Sequence, residues 1–306
     1  MKKITQILDE KKFTYSAELV TPRNGTDPED IRSKIRRLKG TVDFVSVTQG
    51  AGGSLRGGTL PLSIFAQEHQ GINTIQHFVC RERTKYEIEN DLMDMSYCNI
   101  RNVLAIRGDA PADAKNETWD GDYKYAYFLA NQLKELNQGH YLPRKNVDEG
   151  DFRIGMKTDF CILVAGHPED PIEEEIMHMK KKVKSGAEVI ITQMIFSFDE
   201  YKNYVESLRK AGVMIPVIAG IRPLISEKQA RGVENFFGLK VDEELMNGLK
   251  SAKTDIKAKE FGLQYTEDLI NKLKGFGTPG VHLFILNDVG LVEELIEKME
   301  AIPTTH

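Results

Sequence analysis

Short runs of Val, Ile and other apolar residues alternate with longer amphipathic segments along the whole chain. Eight of the runs have the length and β-branched content of strands: 13–20, 43–48, 73–79, 102–108, 159–166, 188–196, 215–221 and 280–286. Apolar residues at helical spacing lie between them, at 28–38, 62–70, 85–99, 123–136, 172–185, 198–211, 227–236, 256–274 and 291–299. Asp27 followed by Pro28 is typical of a helix start.

This alternation predicts the fold. Eight strand–helix repeats predict an α/β protein with a closed (β/α)₈ TIM barrel, which commonly takes about 250 residues. A doubly wound open sheet is the alternative, but no GxGxxG motif follows the first strand. Since no linker, repeat or low-complexity segment is visible, we expect residues 1–306 to form one domain. Its functional residues should lie at the C-terminal ends of the strands.

Composition and charge narrow the function classes. The 41 Lys and Arg against 46 Asp and Glu leave a net charge of -5 and no long basic stripe, which disfavours a nucleic-acid binder. Apolar stretches are shorter than the roughly 20 residues of a membrane span, and no apolar segment follows the basic N-terminus, so we expect a cytoplasmic protein. Cys80, Cys98 and Cys161 are widely spaced and no HExxH motif is present. We therefore expect small buried cysteines, no disulfide framework and no metal site.

Polar residues interrupt the apolar strands near their C-terminal ends. Glu18 lies in the apolar run AELV, where a carboxylate is costly to desolvate unless it is paired or its pKa rises. It is therefore either a general acid or a salt-bridge partner of Arg107. Arg107, Gly108 and Asp109 follow the fourth strand. They either present a cation for a diphosphate and a carboxylate for a heterocycle, or form a simple Arg–Asp turn.

Three further segments each allow two interpretations. The glycine-rich stretch 50–58 either holds a phosphate with its backbone N–H groups or is a mobile loop. Lysines 180–182, which follow glutamates 173–175, form a solvated helix face when considered alone. The aromatic residues of the fourth connection either stack on a planar ligand or pack against the helix: Trp119, Tyr123, Tyr125 and Tyr127.

Taken in order, the motifs resemble a known enzyme family. The strings AEL at Glu18, SVTQGAGGS, QHFVC, LAIRGD, VAGHPE, KVKSGAEVIITQ and PGVHLFILN are similar to those of the flavin-dependent methylenetetrahydrofolate reductases, over residues 13–287. The resemblance implies a barrel that binds FAD noncovalently and reduces 5,10-methylenetetrahydrofolate to 5-methyltetrahydrofolate, a step of one-carbon metabolism and methionine biosynthesis. Hydride would pass in ping-pong order from NADH or NADPH to FAD and then to the folate.

The resemblance also implies roles for individual residues. Glu18 is the general acid that opens the imidazolidine ring, and Asp109 lies beside the flavin and binds the pterin. Thirteen further residues align with cofactor contacts: Thr48, Gln49, Ala51, His77, Arg107, Gly108, Tyr125, Ala126, His167, Glu175, His178, Lys181 and Lys182. Gln193 and Gln229 align with folate contacts. On this interpretation the lysine run binds the ribose and diphosphate instead of facing solvent.

The chain departs from the family pattern at several positions. His167 replaces a tyrosine over the FAD, and the loop after Pro168 is shorter than in several relatives. Asp288 replaces an arginine that recognises the folate glutamate tail, and Val233 replaces an aromatic residue that stacks on the folate.

The sequence leaves the electron donor open. No second nicotinamide domain is present, and NADH, NADPH and a ferredoxin-type donor all remain. Two alternatives follow: a flavin-free, pterin-binding methyltransferase-type barrel, and a reductase subunit that receives electrons from an iron–sulfur partner. We also expect a homo-oligomer.

Overall fold

The computed structural model describes residues 1–50, 54, 56–109, 121–144 and 146–301. Its strands are β1 (Thr14–Leu19), β2 (Phe44–Val47), β3 (Asn73–Val79), β4 (Asn102–Ile106), β5 (His140–Tyr141), β6 (Arg153–Ile154), β7 (Cys161–Gly166), β8 (Val189–Ile195), β9 (Val217–Ile221) and β10 (Gly280–Phe284). Eight of them close into a parallel barrel in the order β1-β10-β9-β8-β7-β4-β3-β2, while β5 and β6 form a separate antiparallel pair. The TIM-barrel prediction is confirmed, and each predicted strand is found with its ends within two residues.

Helices follow the barrel strands as the apolar spacing predicts. They are α1 (Ile4–Glu10), α2 (Glu29–Leu38), α3 (Thr59–Ile64), α4 (Lys85–Tyr97), α5 (Ala126–Gln138), α6 (Ile172–Lys184), α7 (Phe198–Lys210), α8 (Glu227–Phe237), α9 (Glu243–Ser251), α10 (Asp255–Phe276) and α11 (Val289–Ala301). At the start of α2, the Asp27 carboxylate accepts the Glu29 N–H at 2.9 Å. Within the described residues, no helix is long and apolar enough to cross a membrane.

Four elements differ from the sequence prediction. Helices α1 and α9 and the β5–β6 pair were not predicted, because each is too short or too polar to show a clear period. The single helix predicted over 62–70 is instead α3 followed by a π-helical turn, Phe65–His69. Helix α9 begins at the cap residue Asp242, whose carboxylate accepts the N–H groups of Glu244 and Leu245.

Apolar side chains fill the half of the barrel nearest the N-terminal ends of its strands. Ile4 and Ile7 of α1 pack into a buried cluster formed by inward-facing residues of six strands: Phe44, Ile75, Leu104, Cys161, Leu163, Val189, Ile191 and Ile218. The Ile4 N–H donates to Asn102 Oδ1 at 2.8 Å and fixes α1 against the start of β4. Because this end is closed, the space inside the barrel opens only towards the C-terminal ends of the strands.

Candidate active site

A cavity of about 1310 Å³ opens at the C-terminal end of the barrel. Its lining includes most residues predicted for a functional site: Glu18, Thr48, Gln49, His77, Arg107, Gly108, Asp109, Tyr125, Ala126, His167, Glu175, His178, Lys182 and Gln193. Lys181 and Gln229 are not part of the lining. Ala51 and Trp119 lie outside the described residues. Side chains that are far apart in sequence therefore converge at one site.

Glu18 projects from β1 into this cavity. Its side chain is 14% exposed, and burial raises the pKa of the carboxyl from 4.5 to about 7, while the positive charge of Arg222 opposes part of that rise. His77 is an ionisable neighbour, and its Nε2 lies 3.8 Å from Glu18 Oε2. Burial lowers the pKa of His77 to about 4, so this ring is neutral and forms no ion pair with Glu18 at pH 7.

A third buried group, His282 on β10, lies in the same part of the barrel. The Ser16 hydroxyl donates to the Val281 carbonyl at 3.0 Å, so it accepts the N–H of His282 Nδ1 at 2.8 Å. Nε2 then accepts the Ser46 hydroxyl at 3.0 Å. Burial and the neighbouring His77 lower the pKa of His282 to about 3, which keeps the ring neutral and fixed in one tautomer.

The loops after β3 and β4 pack closely at the rim. Gly108 has φ +93°, and a Cβ there would approach Val79 Cγ1 to 2.4 Å, so only glycine fits without displacing a neighbour. The Val79 N–H donates to Gln49 Oε1 at 2.6 Å, and Arg81 donates to the Asp109 carbonyl. These contacts order the backbone beneath the exposed side chain of Asp109.

The adjacent lysines Lys181 and Lys182 on helix α6 have different surroundings. Lys182 is buried and donates to the Ala165 carbonyl at 2.8 Å, whereas Lys181 is exposed and lies over the ring of Tyr127. Burial lowers the pKa of Lys182, and the charge of Glu175 opposes this effect. Glu175 is itself held by the His167 N–H at 3.1 Å and the Tyr204 hydroxyl at 2.8 Å. The solvated-face interpretation therefore fits Lys181, and the site interpretation fits Lys182.

The aromatic residues of the fourth connection also divide between the two interpretations. Tyr125 and Tyr127 line the cavity and stack with ring centroids 5.2 Å apart, and Tyr125 lies 5.5 Å from the ring of His178. Tyr123 instead packs against Phe128 and the buried cluster under α5.

The two predicted folate-contacting glutamines have different surroundings. Gln193 lies at an irregularity in the β8–β9 register and lines the cavity, with its Oε1 accepting the Met194 N–H at 2.9 Å. Strand irregularities of this kind often redirect a side chain next to a functional site. Gln229 Oε1 accepts the Ile225 N–H at 3.0 Å at the start of α8. Val233 on the same helix is fully buried in the core.

The sequence reasoning missed several residues of the cavity lining, among them Arg81, His282 and Arg222. Of these, Arg222 matters most for Glu18. It follows β9 directly, lines the cavity and lies close enough to Glu18 to affect its pKa. The signal was present in IAGIRPL, where an arginine ends an apolar strand in the same way as Arg107 does in LAIRGD.

Comparison with known proteins identifies the family. A family model described as methylenetetrahydrofolate reductase matches residues 3–300. The chain belongs to this family. Methylenetetrahydrofolate reductase 1 of Schizosaccharomyces pombe is 29% identical over 297 residues, which cover 94% of this chain and 46% of that protein. The 5,10-methylenetetrahydrofolate reductase of Salmonella typhimurium is 25% identical over 284 residues, covering 90% and 87%. The resemblance inferred from the motifs is confirmed.

The chain spans about half the length of the eukaryotic reductases that it matches. A solved structure shares the fold: a Clostridium thermocellum protein, described as uncharacterized and binding two copies of 5-methyl-5,6,7,8-tetrahydrofolic acid. It superimposes with a TM-score of 0.58 at 13% identity, over 96% of this chain and 99% of that chain.

Proposed function

We propose that this member of the family reduces 5,10-methylenetetrahydrofolate to 5-methyltetrahydrofolate, with FAD as the hydride carrier and Glu18 as the general acid. The observation that supports the proposal most directly is the largely buried Glu18 carboxyl in the wall of a large cavity, with a pKa of about 7. An acid of this strength is both protonated and able to release its proton near neutral pH.

Three features of the cavity wall fit a dinucleotide flavin. Arg81 and Arg107 after β3 and β4, together with Lys182 of α6, place cations on one side, where a diphosphate would bind. Gly108 allows a ligand to approach the backbone closely. His77 Nε2 is buried and has no hydrogen-bond partner within the described residues, so a ligand atom would satisfy it.

The residues of this chain would divide the chemistry between them. FAD, when bound, would accept a hydride from NADH or NADPH and release it to the folate. Glu18 would protonate a nitrogen of the five-membered folate ring, so that its C–N bond breaks and the carbon becomes electrophilic. Asp109 and Gln193 would accept and donate hydrogen bonds at the pterin edge. We further propose that residues 1–306 act as one cytoplasmic catalytic domain that forms a homo-oligomer.

Anaerobic reduction of the purified protein tests this proposal. We expect a flavin spectrum, release of all the flavin on denaturation, reduction by NADH or NADPH, and reoxidation by methylenetetrahydrofolate. A colourless protein that binds a pterin would instead indicate the methyltransferase-type alternative. Reduction by reduced ferredoxin alone would indicate a subunit that depends on an iron–sulfur partner.

A further inference from the structure

Arg222 is a cation with no hydrogen-bonded or ion-paired anion among the described residues, and Glu18 is the carboxyl whose charge acts on it. Arg222 is half-buried in the cavity wall, and within the described residues its guanidinium forms no hydrogen bond or salt bridge. Its guanidinium carbon lies 6.0 Å from the ring centroid of Phe237, and burial lowers the pKa of Arg222. Withdrawing a guanidinium from water is costly unless an anion pairs with it. The surroundings of Arg222 therefore suit an anionic ligand.

The position of Arg222 separates it from the other arginines of the cavity. In the closed strand order, β9 and β3 are four positions apart and so lie on opposite sides of the barrel. The other arginines of the lining follow β2, β3 and β4: Arg56, Arg81, Arg83 and Arg107. The cations proposed for the diphosphate, Arg81, Arg107 and Lys182, follow β3, β4 and β7, which are neighbours in the strand order. Arg222 follows β9, beyond β8, so the β9 side of the cavity is left for a second anionic group.

We propose that Arg222 binds a carboxylate of the folate glutamate tail. This rests on the proposed function, because it assigns one end of that substrate to one side of the cavity. A folate joins its planar pterin to a benzoyl ring and then to carboxylates, and a guanidinium pairs with carboxylates through two parallel N–H groups. Phe237 and Leu286 line the cavity and are about half exposed, so they offer apolar surface for the benzoyl ring beside Arg222.

Asp288, which stands where the family resemblance implies a tail-binding arginine, is not part of the cavity wall. It is exposed, lies outside the cavity lining, and uses its Oδ1 to accept the Leu291 N–H at 3.3 Å at the start of α11. Its negative charge acts on Arg37. The carboxylate of Asp288 is therefore engaged at the start of α11, outside the cavity lining.

Binding measurements with and without the tail test the inference. The probes are 5-methyltetrahydrofolate and 5-methyltetrahydropteroate, which lacks the glutamate, titrated calorimetrically into flavin-loaded protein at pH 6, where Glu18 keeps its proton. Arg222→Leu should weaken binding of the folate about tenfold to a hundredfold and leave the pteroate within about twofold. Arg222→Lys should keep part of the affinity. Arg231→Gln is the matched control, since Arg231 is exposed on α8 and pairs with Glu227 outside the cavity.

The other outcomes separate the competing explanations. Equal weakening of both ligands would mean that Arg222 acts through Glu18 or through the fold, and an unchanged folate affinity would remove Arg222 from recognition. The ligand-free Arg222→Leu protein should melt at the parental temperature or above, because the variant removes a poorly solvated cation; a lower melting temperature would assign Arg222 a structural role with Phe237. A parent that binds both probes equally contradicts only this inference, whereas one that binds neither contradicts the proposed function as well.

Discussion

The barrel interior and the cavity rim hold their ionisable side chains in opposite environments. Inside, His77 and His282 are buried and Glu18 is largely buried, and burial raises the pKa of the carboxyl to about 7 and lowers those of the imidazoles to about 4 and 3. At the rim after β4, Arg107 and Asp109 face solvent on a backbone fixed by close packing. Interior groups therefore influence a reaction through their proton affinity, and rim groups through charge and hydrogen bonds offered to a ligand.

Glu18→Gln, a change confined to the barrel interior, should have the largest effect on catalysis. The variant keeps the shape of the side chain but cannot donate a proton, so folate reduction should fall by about 10²–10⁴-fold, as is typical of general acid catalysis. Flavin reduction by the nicotinamide should stay nearly normal. Stopped-flow measurement of the two half-reactions tests this, and folate reduction close to the parental rate would show that Glu18 is not the acid.

The stability of the same variant distinguishes an acid from a salt-bridge partner. Between pH 4.5, near the pKa of an unfolded glutamate, and about pH 7, the folded protein binds the Glu18 proton more tightly, so its stability falls as the pH rises through this range. At about 1.4 kcal/mol per pKa unit, the loss reaches roughly 3 kcal/mol above pH 7. The Glu18→Gln side chain has no proton to lose, so this variant avoids the loss of stability and should melt at a higher temperature than the parent at pH 8. A lower melting temperature would support a salt bridge instead.

Asp109→Asn tests whether the carboxylate at the cavity rim binds the folate and acts on the flavin. Loss of a charge-assisted hydrogen bond of about 1.5–3 kcal/mol should weaken folate binding about tenfold to a hundredfold. Removing the negative charge should also raise the flavin reduction potential, because a carboxylate disfavours an anionic reduced ring. Spectroelectrochemistry of the flavin-loaded protein measures the potential, with Asp268→Asn on α10 as the control. An unchanged potential would separate Asp109 from the flavin.

Arg222→Leu tests whether Arg222, on the β9 side of the cavity, acts electrostatically on Glu18 in the barrel interior. In the parent, the rate of folate reduction should fall as the pH rises through about 7, because Glu18 loses its proton. Arg222 lowers the pKa of Glu18, so its removal should raise this pKa and move the fall in rate to higher pH. Single-turnover reoxidation across pH 6–9 measures the shift, and Arg231→Gln should keep the parental profile. A profile that does not move would rule out this electrostatic link.

Gln229→Ala should give the smallest effect. The variant loses the acceptor for the Ile225 N–H at the start of α8, which should cost about 1 kcal/mol of stability, while Gln229→Glu keeps an acceptor. Since Gln229 is outside the cavity lining, the KM for folate should change by no more than about twofold. Thermal melts and steady-state kinetics test both points. A large rise in KM at parental stability would favour the folate contact that the family resemblance implies.

Much of the fold was predictable because its pattern is local. Strand β3 was predicted with both ends correct, since NTIQHFV is a compact run between Gly71 and the charged segment that begins at Arg81. Glu18 was recognised as unusual from its apolar neighbours alone, because burying a carboxylate is costly wherever the strand lies. Helix α1 was missed because its seven residues make only about two turns, too few to show a period, and its Ile4 and Ile7 gain their burial from six barrel strands.

The sequence by itself determined the succession of strands and helices, the closed barrel and the end of the barrel where polar residues gather. Only the tertiary structure decided which side chains of one type enter the cavity: Lys182 and not Lys181, Gln193 and not Gln229. It also brought Arg222 within electrostatic reach of Glu18. The physical reason is that apolar periodicity follows from neighbouring residues. The rotation of α6, the irregularity in β8 and the meeting of β9 with β1 across β10 depend on packing between distant segments.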